Sequence, residues 1–227
     1  MTQALRLVIF DVDGTLVDSQ NDIVTAMGQA FDAVGAPPPS LAEVLGIVGL
    51  SLDVAMAKLA PAYESADRAV MVQAYKDAYI TMRAQVGAAQ SSPLYPGALD
   101  LLQSLRKRDD IVLGVATGKS KRGLDKLIEA HGLDKMFVTQ QVADFHPSKP
   151  HPSMIFQAMT EAGTDPANTV MIGDTSFDMD MAAAAGVCGI GVGWGYHPVS
   201  RLTSALHVVD GFDALSATLT TLWDVAA

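Results

Sequence analysis

The 227-residue sequence has a single cysteine, Cys188, so no disulfide bond can form within the chain. This composition fits a reducing compartment, and we expect a cytoplasmic protein. The sequence also lacks any apolar run approaching the roughly 18 residues that cross a membrane. Its N-terminus leads directly into a strand pattern, without the features of a signal peptide. We therefore expect no association with a membrane.

Positive charge is scarce as well. The 15 lysine and arginine residues face 25 aspartate and glutamate residues, which leaves a net charge of −10. Such a chain is repelled by nucleic acid and by anionic membrane surfaces, so neither is an expected partner. A small anionic substrate is still compatible with this charge, because a metal ion or a few nearby cations can reverse the field at one site. No heptad pattern indicates a particular oligomeric state.

Apolar residues make up 49% of the sequence and charged residues 18%, which predicts a well-buried core rather than long disordered segments. The length suits one large domain or a domain with an insertion. Strand-like apolar runs alternate with helical patterns, which is typical of a doubly wound, Rossmann-like parallel sheet in an α/β protein. The predicted strands are Leu5–Phe10, Ile111–Ala116, Met136–Thr139, Thr169–Gly173, Cys188–Val192 and His207–Val209. The helices predicted to cover the sheet are Ala98–Lys107, Lys121–His131, Ser153–Ala162, Ser176–Ala185 and Ala214–Trp223.

One long segment interrupts this alternation, because residues 18–89 contain helical patterns and no convincing strand. We interpret residues 18–89 as a helical insertion after the first strand, and residues 1–17 and 90–227 as a discontinuous α/β core. The small and polar residues at its two ends, DSQ and GAAQSSP, predict hinges. The helices predicted within the insertion are Asn21–Val34, Leu41–Leu45, Ser51–Leu59 and Asp67–Val86.

Polar residues collect where the predicted strands end, and open parallel sheets bind ligands beyond the carboxyl ends of their strands. Asp11 and Asp13 follow the first strand and are two positions apart, so on an extended segment their side chains point the same way. Such a pair predicts either a polar turn or a reaction centre. The segments after the strands are Asp11–Thr15, Thr117-Gly118, Ser148-Lys149-Pro150 and Asp174–Asp178.

Four segments resemble, in order and spacing, the four motifs of the haloacid dehalogenase superfamily of phosphohydrolases. They are DVDGT (11–15), VATGK (115–119), SKPHP (148–152) and IGDTSFDM (172–179). The helical insertion is similar to the small α-helical cap of that superfamily, and the phosphoglycolate phosphatase-like branch is the most similar. The resemblance covers nearly the whole chain. It implies a cap domain at residues 18–89 and an enzyme that acts on a small phosphorylated metabolite.

The resemblance also implies roles for individual residues. Asp11 would attack the phosphorus and form an aspartyl-phosphate, as carboxylate nucleophiles do in other enzymes. Asp13 would protonate the leaving oxygen and then deprotonate the attacking water, and Thr117 and Lys149 would complete the catalytic set. The implied cofactor is Mg²⁺, held by the side chains of Asp11 and Asp174 and the backbone carbonyl of Asp13. The implied phosphate-binding residues are Asp11, Val12, Asp13, Thr117, Gly118 and Lys149.

Some of these residues also have a purely structural interpretation. Asp178 would lie behind the metal ligands or reach the metal through water, but Thr175–Asp178 also resembles a capping box at a helix start. Thr117-Gly118 is equally typical of an ordinary strand-to-helix turn, and a loop lysine such as Lys149 is usually solvated. The chain has serine at position 148, where many relatives have glycine, and this adds a side chain near the lysine.

The remainder of the substrate is expected to meet the insertion. The candidate contacts are Gly49-Leu50-Ser51, Lys58 and Arg83, although basic residues on helices are more often solvated. Trp194 follows the fifth strand, where it packs on the insertion, shapes the entrance or, as the simplest interpretation, packs in the core. Asp18-Ser19 is interpreted as the cap of the first inserted helix rather than as a substrate contact.

Three functions stay open at this point. The favoured one is a Mg²⁺-dependent phosphatase, with 2-phosphoglycolate as a candidate substrate. The second is a sugar-phosphate mutase similar to β-phosphoglucomutase, which would return the phosphoryl group to a sugar. The third is a non-catalytic protein that binds phosphate and regulates. A dehalogenase is disfavoured because it needs neither a metal nor an acid at the Asp13 position.

Overall fold

The computed structural model describes residues 4–224, in which six parallel strands form one sheet with helices on both faces. The strand order is β3-β2-β1-β4-β5-β6, so β1 lies near the centre of the sheet. Strands β2 and β3 lie on one side of β1, and β4, β5 and β6 lie on its other side. This topology confirms the predicted doubly wound, Rossmann-like α/β class. The strands are β1 (Arg6–Phe10), β2 (Ile111–Thr117), β3 (Thr139–Val142), β4 (Thr169–Gly173), β5 (Cys188–Val192) and β6 (His207–Val209).

The helices fall into two groups along the chain. Within residues 4–224, none is both long and apolar enough to cross a membrane. The helices between β1 and β2 are α1 (Gln20–Asp32), α2 (Leu41–Leu45), α3 (Leu52–Leu59), α4 (Ser65–Val86) and α5 (Ala88–Ser91). The helices beside the sheet are α6 (Ala98–Arg106), α7 (Lys121–Ala130), α8 (Ser153–Ala162), α9 (Ser176–Ala185) and α10 (Phe212–Asp224).

Strand β1 shows why the sheet needs helices on both faces. Its side chains alternate between the two faces, as the period of a strand requires. Val8 and Phe10 join the apolar cluster formed with α6, α7 and α10, whereas Leu7 and Ile9 join the cluster formed with α8 and α9. All four side chains are fully buried. An apolar strand of this kind is stable only when both faces are covered.

The third strand differs from its prediction. The sequence predicted a strand at Met136–Thr139, but the structure has β3 at Thr139–Val142, which pairs with β2. The apolar residues Met136 and Phe137 are buried in the core just before the strand begins. The more polar strand is stable because Gln141 is buried and donates a hydrogen bond to the hydroxyl of Thr139. The apolar residues therefore indicated a buried segment correctly, but the strand itself begins only after them.

The helices between β1 and β2 bury an apolar cluster of their own, which includes Met27, Phe31, Met56 and Met71. The two connections to the sheet lie side by side, since the N–H of Asp18 donates to the carbonyl of Pro93 over 2.9 Å. The exit segment predicted as a hinge contains the short helix α5. Separate burial of this cluster is compatible with the predicted cap.

Helix α6 provides a test of the core packing. Leu102 is fully buried against the sheet, whereas Leu99 on the same helix is 36% exposed. We expect Leu102→Ala to reduce the free energy of unfolding by about 2–5 kcal/mol, because it removes buried apolar surface and leaves a cavity. Leu99→Ala is the matched control, with an expected loss below about 1 kcal/mol. Urea unfolding measures both, and equal losses would contradict this packing.

Candidate active site

Two acidic residues follow the two central strands of the sheet. Asp11 comes directly after β1 and Asp174 directly after β4, and these strands are neighbours. The strand order reverses between them, which is where open α/β sheets bind ligands. The backbone N–H of Asp11 donates to the carbonyl of Ile172 over 2.9 Å. The loop after β1 is thereby aligned with the end of β4.

Three carboxylates and one ammonium group meet at this point. Asp11, Asp174 and Asp178 are buried, and each offers a carboxylate oxygen within 4.8 Å of the others. Lys149 enters from the loop after β3, and its Nζ donates to Oδ1 of Asp11 over 2.7 Å and to Oδ1 of Asp178 over 2.6 Å. Its side chain is fully buried. Lys149 is therefore not the solvated loop lysine that the sequence left open.

Burial controls the charges in this cluster. It raises the pKa of Asp11 to about 7, because the ammonium of Lys149 offsets only part of the desolvation. It also raises the pKa of Asp174 well above its usual range, and the nearby charges of Asp11 and Asp178 add to the rise. Burial alone would lower the pKa of Lys149, but its two carboxylate partners raise it instead. The cluster is thus short of positive charge.

A divalent cation fits this shortage. Oδ2 of Asp11 is buried and has no hydrogen-bond partner in the part of the chain that the structure describes. A buried acceptor of this kind is costly unless a cation or water binds it. Carboxylate oxygens are ligands that Mg²⁺ prefers. The donor set of Asp11, Asp174 and Asp178 therefore fits the predicted Mg²⁺, with Asp178 added to the residues that the sequence assigned.

Asp174 is held in place by neighbouring loops. The hydroxyl of Thr15 donates to its Oδ1 over 3.1 Å, and the backbone N–H of Tyr196 donates to its Oδ2 over 2.7 Å. Gly14 has φ +83°, and a Cβ at this position would lie 2.2 Å from Oδ2 of Asp174. Only glycine lets the loop after β1 pass so close. The sequence did not indicate Tyr196, because no side-chain pattern marks a backbone donor.

The side chain of Asp13 has a different set of partners. Its Oδ1 accepts a hydrogen bond from Nζ of Lys119 over 2.6 Å, and another from the hydroxyl of Ser19. Burial alone would lower the pKa of Lys119, but the charge of Asp13 raises it, so the lysine stays protonated. Lys119 lies in the segment VATGK, but the sequence pattern indicated no role for it. Its position two residues after the end of β2 was the signal that could have identified it.

The interpretation of Asp18-Ser19 as the cap of the first inserted helix holds for Asp18 but not for the hydroxyl of Ser19. Ser19 occupies the N-cap position of α1, but its side chain makes no capping hydrogen bond because its hydroxyl donates to Asp13. Asp18 is the neighbour that accepts from the helix, through the backbone N–H of Gln20 over 3.1 Å. The hydroxyl of Ser19 therefore belongs to the site rather than to the helix start.

The predicted phosphate-binding residues Val12 and Thr117 are buried at the same edge of the sheet. The carbonyl of Val12 accepts the backbone N–H groups of Leu16 over 2.9 Å and Val17 over 3.0 Å, which folds the loop after β1 tightly. The hydroxyl of Thr117 accepts the N–H of Lys119 over 3.2 Å. The structure thus brings the predicted residues together, while their binding roles stay predictions.

The loop between α2 and α3 lies directly on the strand ends. A Cβ added to Gly118 would lie 2.6 Å from the carbonyl oxygen of Leu50 and 2.7 Å from that of Gly49. The backbone N–H of Ser51 donates to Oγ of Ser148 over 2.9 Å. Ser148 therefore joins the insertion to the loop carrying the buried lysine.

The family model described as "Haloacid dehalogenase-like hydrolase" matches residues 8–192 of this chain. The chain belongs to the haloacid dehalogenase-like hydrolases. It is 38% identical over 202 residues to "Probable phosphatase IndB" from Dickeya dadantii (strain 3937), with 88% of this chain and 86% of the relative covered. It is 32% identical over 217 residues to a phosphoglycolate phosphatase from Pseudomonas putida, with 92% and 78% covered.

Solved structures support the fold of this hydrolase. A haloacid dehalogenase-like hydrolase from Streptococcus pneumoniae has a TM-score of 0.81 and 24% identity, with 95% of this chain and 98% of that chain covered. A β-phosphoglucomutase from Clostridium difficile has a TM-score of 0.83 and 19% identity, with 98% of each chain covered. At these identities the likeness concerns the architecture alone.

A cavity of about 780 Å³ lies between the strand ends of this hydrolase and its inserted helices. Asp11 and Asp13 line it from the sheet, and the candidate contacts Gly49-Leu50-Ser51 and Arg83 line it from the insertion. Lys58 instead places its ammonium 4.9 Å from the ring centre of Phe177. The cavity is large enough for a small metabolite.

Trp194 packs in the core rather than shaping an entrance. Its ring centre lies 4.7 Å from that of Phe212 and 6.5 Å from that of Tyr95. Its Nε1–H donates to the carbonyl of Thr15 over 3.1 Å. Trp194 therefore supports the loop after β1 from behind.

Asp178 combines the two interpretations that the sequence left open. Its Oδ2 accepts the backbone N–H of Thr175 over 3.1 Å, and the hydroxyl of Thr175 accepts the N–H of Asp178, so a capping box is present at the start of α9. Its Oδ1 binds Lys149. One carboxylate thus caps a helix and takes part in the buried cluster.

The buried position of Lys149 predicts a large effect on stability. Lys149→Met would leave Asp11 and Asp178 buried without their cation, so we expect a loss of about 3–5 kcal/mol in the free energy of unfolding. The measurement is urea unfolding in metal-free buffer. Lys121→Met removes an exposed ion pair with Asp125 and is the control, with an expected loss below about 1 kcal/mol. Similar losses for the two variants would argue against the buried cluster.

Proposed function

We propose that this hydrolase is a Mg²⁺-dependent phosphatase that acts on a small phosphorylated metabolite through an aspartyl-phosphate intermediate. The observation that carries the proposal is the buried group of Asp11, Asp174, Asp178 and Lys149 at the strand ends, beside a cavity of about 780 Å³. The names of the relatives support it, since one is called a phosphatase and another a phosphoglycolate phosphatase.

In the first step, a carboxylate oxygen of Asp11 attacks the phosphorus while the bond from phosphorus to the leaving oxygen breaks. Asp13, which is ionised beside Lys119 in this structure, takes up a proton from solvent when the substrate binds and then gives it to that oxygen, so the product leaves as an alcohol. Lys119 and Ser19 hold the Asp13 carboxyl group in one orientation. In the second step Asp13 takes a proton from water, which attacks the phosphorus and releases Asp11 and inorganic phosphate.

The charges around the phosphoryl group suit this chemistry. Lys149 keeps its positive charge beside Asp11 and opposes the negative charge that develops during transfer. The hydroxyl of Thr117 and the backbone N–H of Gly118 are proposed to bind phosphoryl oxygens. When bound to Asp11, Asp174 and either Asp178 or the carbonyl of Asp13, Mg²⁺ supplies further charge neutralisation and orients the phosphoryl group.

The rest of the molecule is assigned accordingly. Residues 18–89 form the cap domain, which covers the site, and residues 1–17 and 90–227 form the catalytic domain. The proposed substrate class includes 2-phosphoglycolate, the compound for which the Pseudomonas putida relative is named. A cytoplasmic location stays a prediction from the single cysteine. The mutase alternative has support only from a likeness in fold at 19% identity, so hydrolysis is preferred.

The nucleophile is tested first. We expect the wild-type protein to release phosphate from a panel of small phosphoesters, including 2-phosphoglycolate and hexose phosphates, only when Mg²⁺ is present. Asp11→Asn should abolish release, because the neutral amide does not form the phosphoryl ester. The exposed Asp100→Asn is the control and should retain activity. Phosphate release by Asp11→Asn would overturn the proposal, and hexose 1-phosphate isomerisation without release would favour the mutase.

The role of Asp13 is tested by changing the leaving group. We expect Asp13→Asn to lower kcat/KM for alkyl phosphates by roughly 10²–10⁴-fold, because the departing alkoxide then receives no proton. The loss should be much smaller for p-nitrophenyl phosphate, whose leaving group departs without one. The exposed cavity residue Asp53 provides the control variant Asp53→Asn. Equal losses on both substrates would contradict the assignment of Asp13 as the acid.

A further inference from the structure

Arg83 lies in the last turn of α4 and lines the cavity that also contains Asp11 and Asp13. Its guanidinium is fixed on two sides. Nη1 donates to the carbonyl of Gly123 over 3.4 Å, and the guanidinium carbon lies 4.6 Å from the ring centre of Tyr79. These contacts orient the group without neutralising its charge.

The remaining edge of the guanidinium has no partner. Nε and Nη2 of Arg83 are buried, and neither has a hydrogen-bond acceptor among residues 4–224. The N–H bonds of these two nitrogens point in the same direction and form the fork that binds both oxygens of a carboxylate or a phosphate. Leaving buried charged donors unpaired is costly. The free edge therefore matches a bound oxyanion.

The other cations near the reaction centre are already engaged. Lys149 is paired with Asp11 and Asp178, and Lys119 is paired with Asp13. Arg83 forms no ion pair within 4.0 Å with any residue that the structure describes. Burial raises the pKa of Asp22 and the charge of Arg83 offsets part of this rise, but the Asp22 carboxylate accepts a hydrogen bond from Ser91 and forms no ion pair with Arg83 among the described residues. Arg83 is thus the cation with buried, unused donors on the insertion side of the cavity.

We propose that Arg83 binds a second oxyanion of the substrate, at the end away from the scissile phosphoryl group. The preferred substrates are then small phosphoesters that also carry a carboxylate or a second phosphate. This inference rests on the proposed function, because it concerns the same cavity. A neutral hydroxyl at that end of the substrate would satisfy only part of the fork and leave the guanidinium charge unopposed. Discrimination against such an analogue is expected.

The main experiment compares matched pairs of substrates in the full-length protein with Mg²⁺. One pair is 2-phosphoglycolate and 2-hydroxyethyl phosphate, and the other is 1,3-propanediol bisphosphate and 3-hydroxypropyl phosphate. We expect the wild-type kcat/KM to favour the acidic member of at least one pair by roughly 10- to 100-fold. The pair with the larger ratio identifies the oxyanion as a carboxylate or a phosphate. Ratios below about threefold in both pairs would overturn the proposal.

Variants connect the preference to the fork itself. Arg83→Gln should reduce the ratio of kcat/KM between the acidic and the neutral substrate to within about threefold, mainly through a change in KM. Arg83→Lys keeps the charge and should retain part of the preference for the acidic substrate. Arg122→Gln removes one charge from an exposed residue of the same cavity, and the ratio should then change less than threefold. An unchanged ratio in Arg83→Gln, or an equal change in Arg122→Gln, would overturn the assignment.

Binding without turnover separates this inference from the proposed function. Calorimetry with 3-phosphonopropionate and propylphosphonate, neither of which is a phosphoester, measures the same preference in wild type and Arg83→Gln. We expect wild type to bind 3-phosphonopropionate more tightly by roughly tenfold or more, and Arg83→Gln to lose this margin. If this result appears while no phosphoester is hydrolysed, the proposed function fails and the role of Arg83 stands. If phosphoesters are hydrolysed but wild type does not bind 3-phosphonopropionate more tightly than propylphosphonate, only the role of Arg83 as a carboxylate fork fails.

Discussion

The burial of three carboxylates beside one ammonium group, where β1 and β4 end, is the constraint on which the site depends. Asp11, Asp174 and Asp178 raise the electrostatic cost of folding, and Lys149 offsets only part of it. The parallel sheet makes this arrangement possible, because its strand ends deliver side chains from distant parts of the chain to one edge. The remaining shortage of positive charge makes the cluster suited to a divalent cation, which the proposed function assigns as Mg²⁺.

The surrounding loops can be understood as the means of holding that cluster in position. Gly14 allows the loop after β1 to pass against Asp174, and Trp194 supports the same loop through the carbonyl of Thr15. Asp178 stabilises the start of α9 with one oxygen and orients Lys149 with the other. Each charged side chain is therefore fixed by at least one hydrogen bond, so little reorganisation is needed during a reaction.

The inserted helices bring a second set of interactions to the cavity. Their loop at Gly49-Leu50-Ser51 lies against Gly118 and donates a hydrogen bond to Ser148, so it forms one wall of the cavity. The site consequently has two differently built ends. The sheet end gathers carboxylates and their paired lysines, and the insertion end carries Arg83, whose buried Nε and Nη2 have no partner among the described residues. This division matches a substrate with a phosphoryl group at one end and a distinguishing group at the other.

The sequence alone determined the α/β class, the position of the helical insertion and the residues at the strand ends, because these depend on periodicity and on motifs local to the chain. It misplaced β3, since the apolar Met136 and Phe137 are buried before the strand begins and Gln141 finds its partners only in the folded core. The pairing of Ser19 and Lys119 with Asp13, the burial of Lys149, and the free edge of Arg83 were decided by the tertiary structure. Except for Ser19 and Asp13, which are six residues apart, these features join residues that are far apart in the chain or depend on which donors lack acceptors after folding. The position of Lys119 after β2 marked it as a candidate, but no local pattern records which side chain it pairs with, and that is the physical reason why these contacts were not predicted.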